Sequence, residues 1–240
     1  MLAFAADIHG EWRRLYENLP QEVEAVFICG DAEMVRSEED LALIPAPKKH
    51  LKLGDFHFFW ERGEVPVPTY VLLGNHEPYL WLWEYEKNGP TEVIKNLWVL
   101  ARSGVIELCG LKIAYLGRVF AHNTYFEGRA WDPEKDKRSK KSKLAGRFTP
   151  EDVERLISEA AKVEDVDVLA LHENPNCCKD ARGREVYRDI VELVRPKLII
   201  CGHMHRLLLE TFSGVPIFGL PYGIPVTWQK IECSVENTNL

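Results

Sequence analysis

Five short apolar runs, each leading into a potential metal ligand, constrain this chain more than any other feature. The runs cover residues 2–6, 23–29, 69–73, 166–171 and 197–201. They lead into Asp7-Ile8-His9-Gly10, Gly30-Asp31, Gly74-Asn75-His76-Glu77, His172 and Gly202-His203-Met204-His205. Short apolar runs bounded by Gly, Asn and Asp read as strands. In an α/β sheet, groups that follow parallel strands collect at the carboxyl edge, where such folds place their sites. The spacing therefore predicts an α/β fold that gathers these side chains in one place. Taken singly the motifs are weak: Asp-x-His is commonly a capped turn, Gly-Asp and Gly-Asn tolerate unusual backbone angles, and a lone His is commonly a core residue. Independent turns have no reason to be chemically matched five times over.

The connecting segments predict the layers. A helix is expected over residues 11–19, stopped at Pro20. Residues 32–68 read as an irregular, partly helical excursion punctuated by Pro45, Pro47, Pro66 and Pro68, and Pro78 marks the start of a helix through Tyr85. Three strand signals within 97–117, divided by Ser103-Gly104 and Cys109-Gly110, resemble a meander, and 118–148 reads as one long loop. Thr149, Pro150 and Asp152 open a helix to about residue 162 with an approximate capping box. A further helix is expected over 184–194, and 207–233 alternates β-rich pieces with Gly and Pro turns. Strands alternating with helices, followed by a β-rich tail, suggest a two-sheet α/β sandwich rather than one doubly wound sheet. At 240 residues the chain is expected to be a single domain, 1–240.

The ligand chemistry favours two cations. Carboxylate, amide oxygen and imidazole together suit manganese, iron or zinc, with manganese the first choice. A pair of such ions can hold a phosphoryl oxygen, generate a hydroxide near neutral pH and stabilise an in-line displacement. One carboxylate must be shared, and Asp31 is the candidate.

Bulk properties remove other classes. A net charge of -7 argues against a protein that coats nucleic acid, without excluding a local basic surface. Six cysteines with no C-x-x-C pattern suggest reduced thiols, hence a cytoplasmic protein. Residues 2–6 lack a basic flank and reach Asp7 too early for a signal-peptide core, and no uncharged run approaches the roughly 20 residues that span a bilayer.

As a set, D-x-H, G-D, G-N-H-E, H and G-H-x-H resemble the calcineurin-like metallophosphoesterase superfamily, over Asp7 to His205. The resemblance implies a two-sheet α/β/β/α sandwich. It places Asp7, His9, Asp31 and His205 on one metal, and Asp31, Asn75, His172 and His203 on the other. His76 is similar to the catalytic histidine that contacts the scissile phosphate and protonates the leaving oxygen. Protein phosphatases of this superfamily carry a second Asp three residues after the shared one. Here that position is Met34, which argues against a protein phosphatase, and Glu77 is a candidate to orient His76 instead. A closer likeness is to RNA lariat debranching enzymes, in Gly30-Asp31-Ala32-Glu33-Met34-Val35-Arg36-Ser37-Glu38-Glu39-Asp40-Leu41 and onward through Glu77. Those enzymes commonly have Cys where this chain has Asp7.

The expected function is therefore a dinuclear phosphoesterase, a phosphodiesterase for a nucleotide or a single-stranded or branched nucleic acid, acting by metal-bridging hydroxide attack. A phosphomonoesterase is the alternative, and a scaffold without catalysis is a third reading, at odds with an intact ligand set. Basic residues in 118–148, among them Arg129, Arg138, Lys143 and Arg147, interleave with aromatics as a strand-binding loop would, though acidic neighbours also fit a solvated loop. Arg36 is a candidate phosphate clamp or a loop anchor. The aromatic groups Phe56, Phe58, Phe59, Trp60 and Tyr79, Trp81, Trp83, Tyr85 read as packing.

Overall fold

The alternation of buried side chains in β1 (Leu2–Ala5) shows how the layers form. Ala3 and Ala5 face one hydrophobic cluster, whereas Leu2 and Phe4 face another. A strand with both faces buried is what a parallel sheet covered on each side requires. In this computed structural model, residues 1–45, 51–133 and 142–238 are described.

The first sheet has the order β11-β1-β2-β3-β4, with β2 (Ala25–Cys29), β3 (Glu64–Leu72), β4 (Thr91–Val99) and β11 (Val226–Thr227). β1 to β4 are mutually parallel and β11 runs antiparallel at the edge. The second sheet has the order β5-β6-β7-β8-β10-β9. Its strands are β5 (Ser103–Leu108), β6 (Leu111–Leu116), β7 (Val168–Leu171), β8 (Leu198–Cys201), β9 (Leu208–Phe212) and β10 (Val215–Gly219). Here β6, β7, β8 and β10 are parallel, with hairpin partners β5 and β9 at the two edges.

Three apolar clusters match four layers. Helices α1 (Trp12–Glu17), α3 (Phe56–Arg62) and α4 (Tyr79–Glu86) set Trp12, Leu15, Phe56, Phe59, Tyr79 and Leu82 against the outer face of the first sheet. Between the sheets lie Phe4, Phe27 and Leu72 with Ile113, Tyr115, Ile200 and Phe218. On the far face, α7 (Pro150–Ala160) and α8 (Ala181–Val194) cover the second sheet through Leu156, Tyr187 and Ile190. The α/β/β/α sandwich is thus the observed fold. Short helices α2 (Glu38–Leu41), α5 (His122–Tyr125) and α6 (Ser142–Ala145) lie in connecting segments.

Several expectations are corrected. The three strand signals of 97–117 do not form one meander. The first belongs to β4 in the first sheet, and the chain crosses to the second sheet before β5 and β6 pair as a hairpin. That hairpin turns at Cys109 and Gly110, both at positive φ (49° and 79°), the turn that matches strand twist. β3 starts earlier than residue 69 and accommodates Pro66 and Pro68 through a register shift between Glu64 and Thr69. Among the described residues of 118–148 the chain is not one loop: α5 and α6 interrupt it, and Arg118, Val119, Phe120, Ala145 and Phe148 are buried. The β-rich tail ends in α9 (Trp228–Glu236), whose Trp228, Ile231 and Val235 pack toward the layer between the sheets at helical spacing. The Thr149 capping box is present as expected. Among the described residues no helix is long and apolar enough to cross a membrane.

Candidate metal centre

Because β1, β2 and β3 are parallel, as are β7 and β8, each sheet delivers its post-strand residues to one edge. The two edges are stitched together. His203 N–H donates to Asp7 Oδ2 at 2.8 Å, and His172 Nδ1 lies 2.9 Å from the Cys29 carbonyl. All seven expected ligands meet there. Asp7, His9 and His205 form one compact donor group; Asp31, His172 and His203 form another; and Asp31 also groups with His9 and His76. Asn75 Oδ1 joins the second group, 2.9 Å from His172 Nε2.

The backbone is bent to achieve this. Asp7, His9, Asp31, His203 and His205 all sit at positive φ, between 41° and 67°. Non-glycine residues rarely adopt this region, and such strain persists where the surroundings over-determine it, typically at functional sites. Two glycines make room for ligands. A Cβ on Gly30 would overlap the His172 ring, and one on Gly74 would overlap the Asp31 carboxylate.

Asp31 is the hub. Its Oδ1 accepts backbone N–H groups from Asn75 (2.7 Å) and His76 (2.8 Å) and lies 3.4 Å from His172 Nε2. Burial alone would raise its carboxyl pKa, but His172, His76 and His9 outweigh burial and hold Asp31 far below the ordinary range. Asp7 behaves oppositely, pushed up to about 7 by burial and then by the Asp31 charge. Burial also lowers His203 to about 4, with His172 contributing. For His172 burial works against the charged ring, yet Asp31 prevails and raises it to about 9.

These donors fit divalent cations. Asp7 Oδ1 is buried with no hydrogen-bond partner, 3.7 Å from His205 Nε2. His9 Nε2 and His205 Nε2 face each other at 3.2 Å. A buried orphan oxygen is costly without a partner, and a cation held between it and the two imidazole nitrogens would supply one. The lack of thiol donors in these groups accords with the hard set expected. Asp7, His9, Asp31 and His205 would hold one ion, and Asp31, Asn75, His172 and His203 the other.

The centre opens into a cleft of about 680 Å³ lined by His9, Asp31, His76, His203, His205 and Tyr222, among others. His76 also borders a smaller cavity of about 200 Å³ with Asn75, Pro45, Lys143 and Arg147. The other basic candidates lie elsewhere. Arg36 gives Nε and Nη2 to the two oxygens of Asp40 and lies 4.2 Å above the Trp81 ring, so it anchors its loop. Arg129 is exposed and pairs with Glu127. Arg138 falls outside the described residues, as do Lys135, Lys137, Lys140 and Lys141. Glu77 does not orient His76: both of its oxygens accept backbone N–H groups, from Ala32 and Glu33. Burial, then Asp31, raises its pKa to about 8. Met34, where protein phosphatases carry Asp, is fully buried in the helix-side core.

The donor groups at the junction of the two sheets fit a pair of divalent cations. The chain belongs to the calcineurin-like phosphoesterase family, whose profile matches residues 1–207. It is similar to lariat debranching enzymes, 24% identical to that of Entamoeba histolytica over 85% of this chain and 63% of that protein. The Arabidopsis thaliana enzyme is 26% identical over 82% of this chain and 46% of its own length. This chain thus spans less than two thirds of either relative. A dimetal phosphatase from Danio rerio shares the fold, with TM-score 0.54 and 14% identity over 93% of this chain and 87% of that one.

Proposed function

We propose that this protein is a manganese-dependent phosphodiesterase acting on a nucleotide or nucleic-acid substrate. The observation that carries the reading is the complete donor set around a shared Asp31, with His76 at the border of two adjoining cavities. When bound, two divalent cations would polarise phosphoryl oxygens and activate water.

The chain's own residues supply the rest. The backbone N–H of His76 is tied to Asp31, which fixes the loop so that the imidazole borders the cleft. From there His76 can donate a proton to the leaving oxygen. Lys143 and Arg147 line the smaller cavity together with His76 and Asn75. Cations there would neutralise a phosphate beyond the scissile one, favouring a diester with a phosphorylated flank over a simple monoester. The names of the relatives support branched RNA as the substrate to try first. Six free cysteines accord with a reducing, cytoplasmic setting.

The test is hydrolysis, with manganese supplied, of a generic phosphodiester, a phosphomonoester and a branched 2′,5′-linked oligonucleotide. Cleavage of the two diesters supports the reading. Cleavage confined to the monoester overturns it.

A further inference from the structure

The two halves of the metal centre are supported differently. On the His172 side, Nδ1 is held by a neutral group, the Cys29 carbonyl at 2.9 Å. On the His9 side, Nδ1 meets the carboxylate of Glu33, with Oε1 at 2.6 Å. Glu33 has 2% of its surface exposed. A carboxylate so placed needs a partner, and His9 is the side chain it reaches.

The loop around Glu33 is built to hold it there. Glu33 itself sits at φ 50°. Its backbone N–H and that of Ala32 are taken by the two oxygens of Glu77, which is fully buried. His9 N–H donates to the Asp31 carbonyl at 3.0 Å, and Gly10 N–H to the Ala32 carbonyl at 3.1 Å. The two ligand loops are therefore zipped, with the Glu33 carboxylate closing against the imidazole. A donor on Nδ1 leaves the Nε2 lone pair free to face Asp7 and His205, and a carboxylate partner raises imidazole basicity more than a carbonyl does.

We infer that Glu33 is the positioning residue of His9, so that cation binding at the Asp7–His9–His205 position depends on it while the Asp31–Asn75–His172–His203 position does not. The inference rests on the two-metal reading of this centre. It does not rest on the identity of the substrate.

The experiment is calorimetric titration of the metal-stripped protein with Mn²⁺, resolving two sites, for the native chain, Glu33→Leu, Glu33→Gln, His9→Ala and the double variants. Glu33→Leu should weaken one site by roughly 10–100-fold and leave the other within about two-fold, the error of additive behaviour. Glu33→Gln keeps an acceptor oxygen and should lose less. In the His9→Ala background neither Glu33 change should weaken binding further. Equal weakening of both sites, an unchanged titration, or an undiminished effect without His9 would overturn the inference. Should Glu33→Leu not fold, as circular dichroism would show, Glu33→Gln with and without His9 decides. No substrate is used, so absence of diester cleavage would sink the proposed function and leave this result standing.

Discussion

Replacing Glu86 by Ala should destabilise the protein severely, and the structure says by how much. Glu86 lies in α4, and both of its carboxylate oxygens receive the Arg118 guanidinium at 2.6 Å. The two side chains are 3% and 0% exposed. Arg118 also donates Nε to the Ala145 carbonyl and stacks 5.1 Å from the Tyr79 ring. Burial by itself would lower the Arg118 pKa, but Glu86 outweighs it and holds the guanidinium above its ordinary value, so the charge persists. Removing Glu86 strands that charge. Breaking a buried pair costs about 3–5 kcal/mol, whereas replacing both partners with apolar groups of similar volume is often neutral. For a chain of this length that loss is roughly 6–20 °C in Tm. Urea unfolding of metal-free protein is the assay, on E86A, R118M and the E86L/R118M pair. The single changes should each be costly and the pair should recover most of the loss. A loss below about 1 kcal/mol for E86A, the worth of an exposed pair, would refute the reasoning. Function should follow, because Ala145 precedes Gly146, which packs against Asn75, and the hydroxyl of Tyr79 donates to the Gly74 carbonyl.

Further outcomes are expected. Chelation should abolish hydrolysis and lower Tm, with manganese restoring both, since binding to the native state alone is stabilising; an active chelated enzyme would contradict the centre. His76→Ala should keep its metal content while kcat falls about 10²–10⁴-fold, and unchanged turnover would remove its assigned role. Lys143→Ala with Arg147→Ala should raise KM for an oligonucleotide and flatten its salt dependence, with little effect on a small diester; equal effects would make the segment structural. Arg36→Ala should lower stability by about 1–2 kcal/mol, from a half-buried ion pair and a cation–π contact. A raised KM at unchanged stability would restore Arg36 as a phosphate clamp.

The donor set was legible because its signals are local. A ligand placed directly after a strand keeps its place whatever the strand pairs with, so Asp7, Asp31, His172 and His203 could be read before any pairing was known. The Thr149 cap was equally local. Errors arose where identity depended on distant partners. β4 reads as one member of a meander with β5, yet a parallel place beside β3 puts it in the other sheet. The tail reads as β-rich, although Trp228, Ile231 and Val235 already carry the helical spacing of α9. Arg129 and Arg147 are indistinguishable in sequence, and only the packing of Gly146 on Asn75 brings Arg147 to the centre.

What this sequence determined by itself is chemistry: hard donors at strand ends, a shared aspartate and a histidine beside it. Tertiary structure decided the supports. It paired Glu33 with His9 across 24 residues, Glu86 with Arg118 across 32, and Glu77 with the loop after Asp31. It also tied Arg36 to Asp40, the anchoring one of the two roles the sequence leaves open. The physical reason is common to all four. A donor atom's affinity for a cation is intrinsic to its residue type, whereas a carboxylate's role depends on which donor burial leaves within its reach.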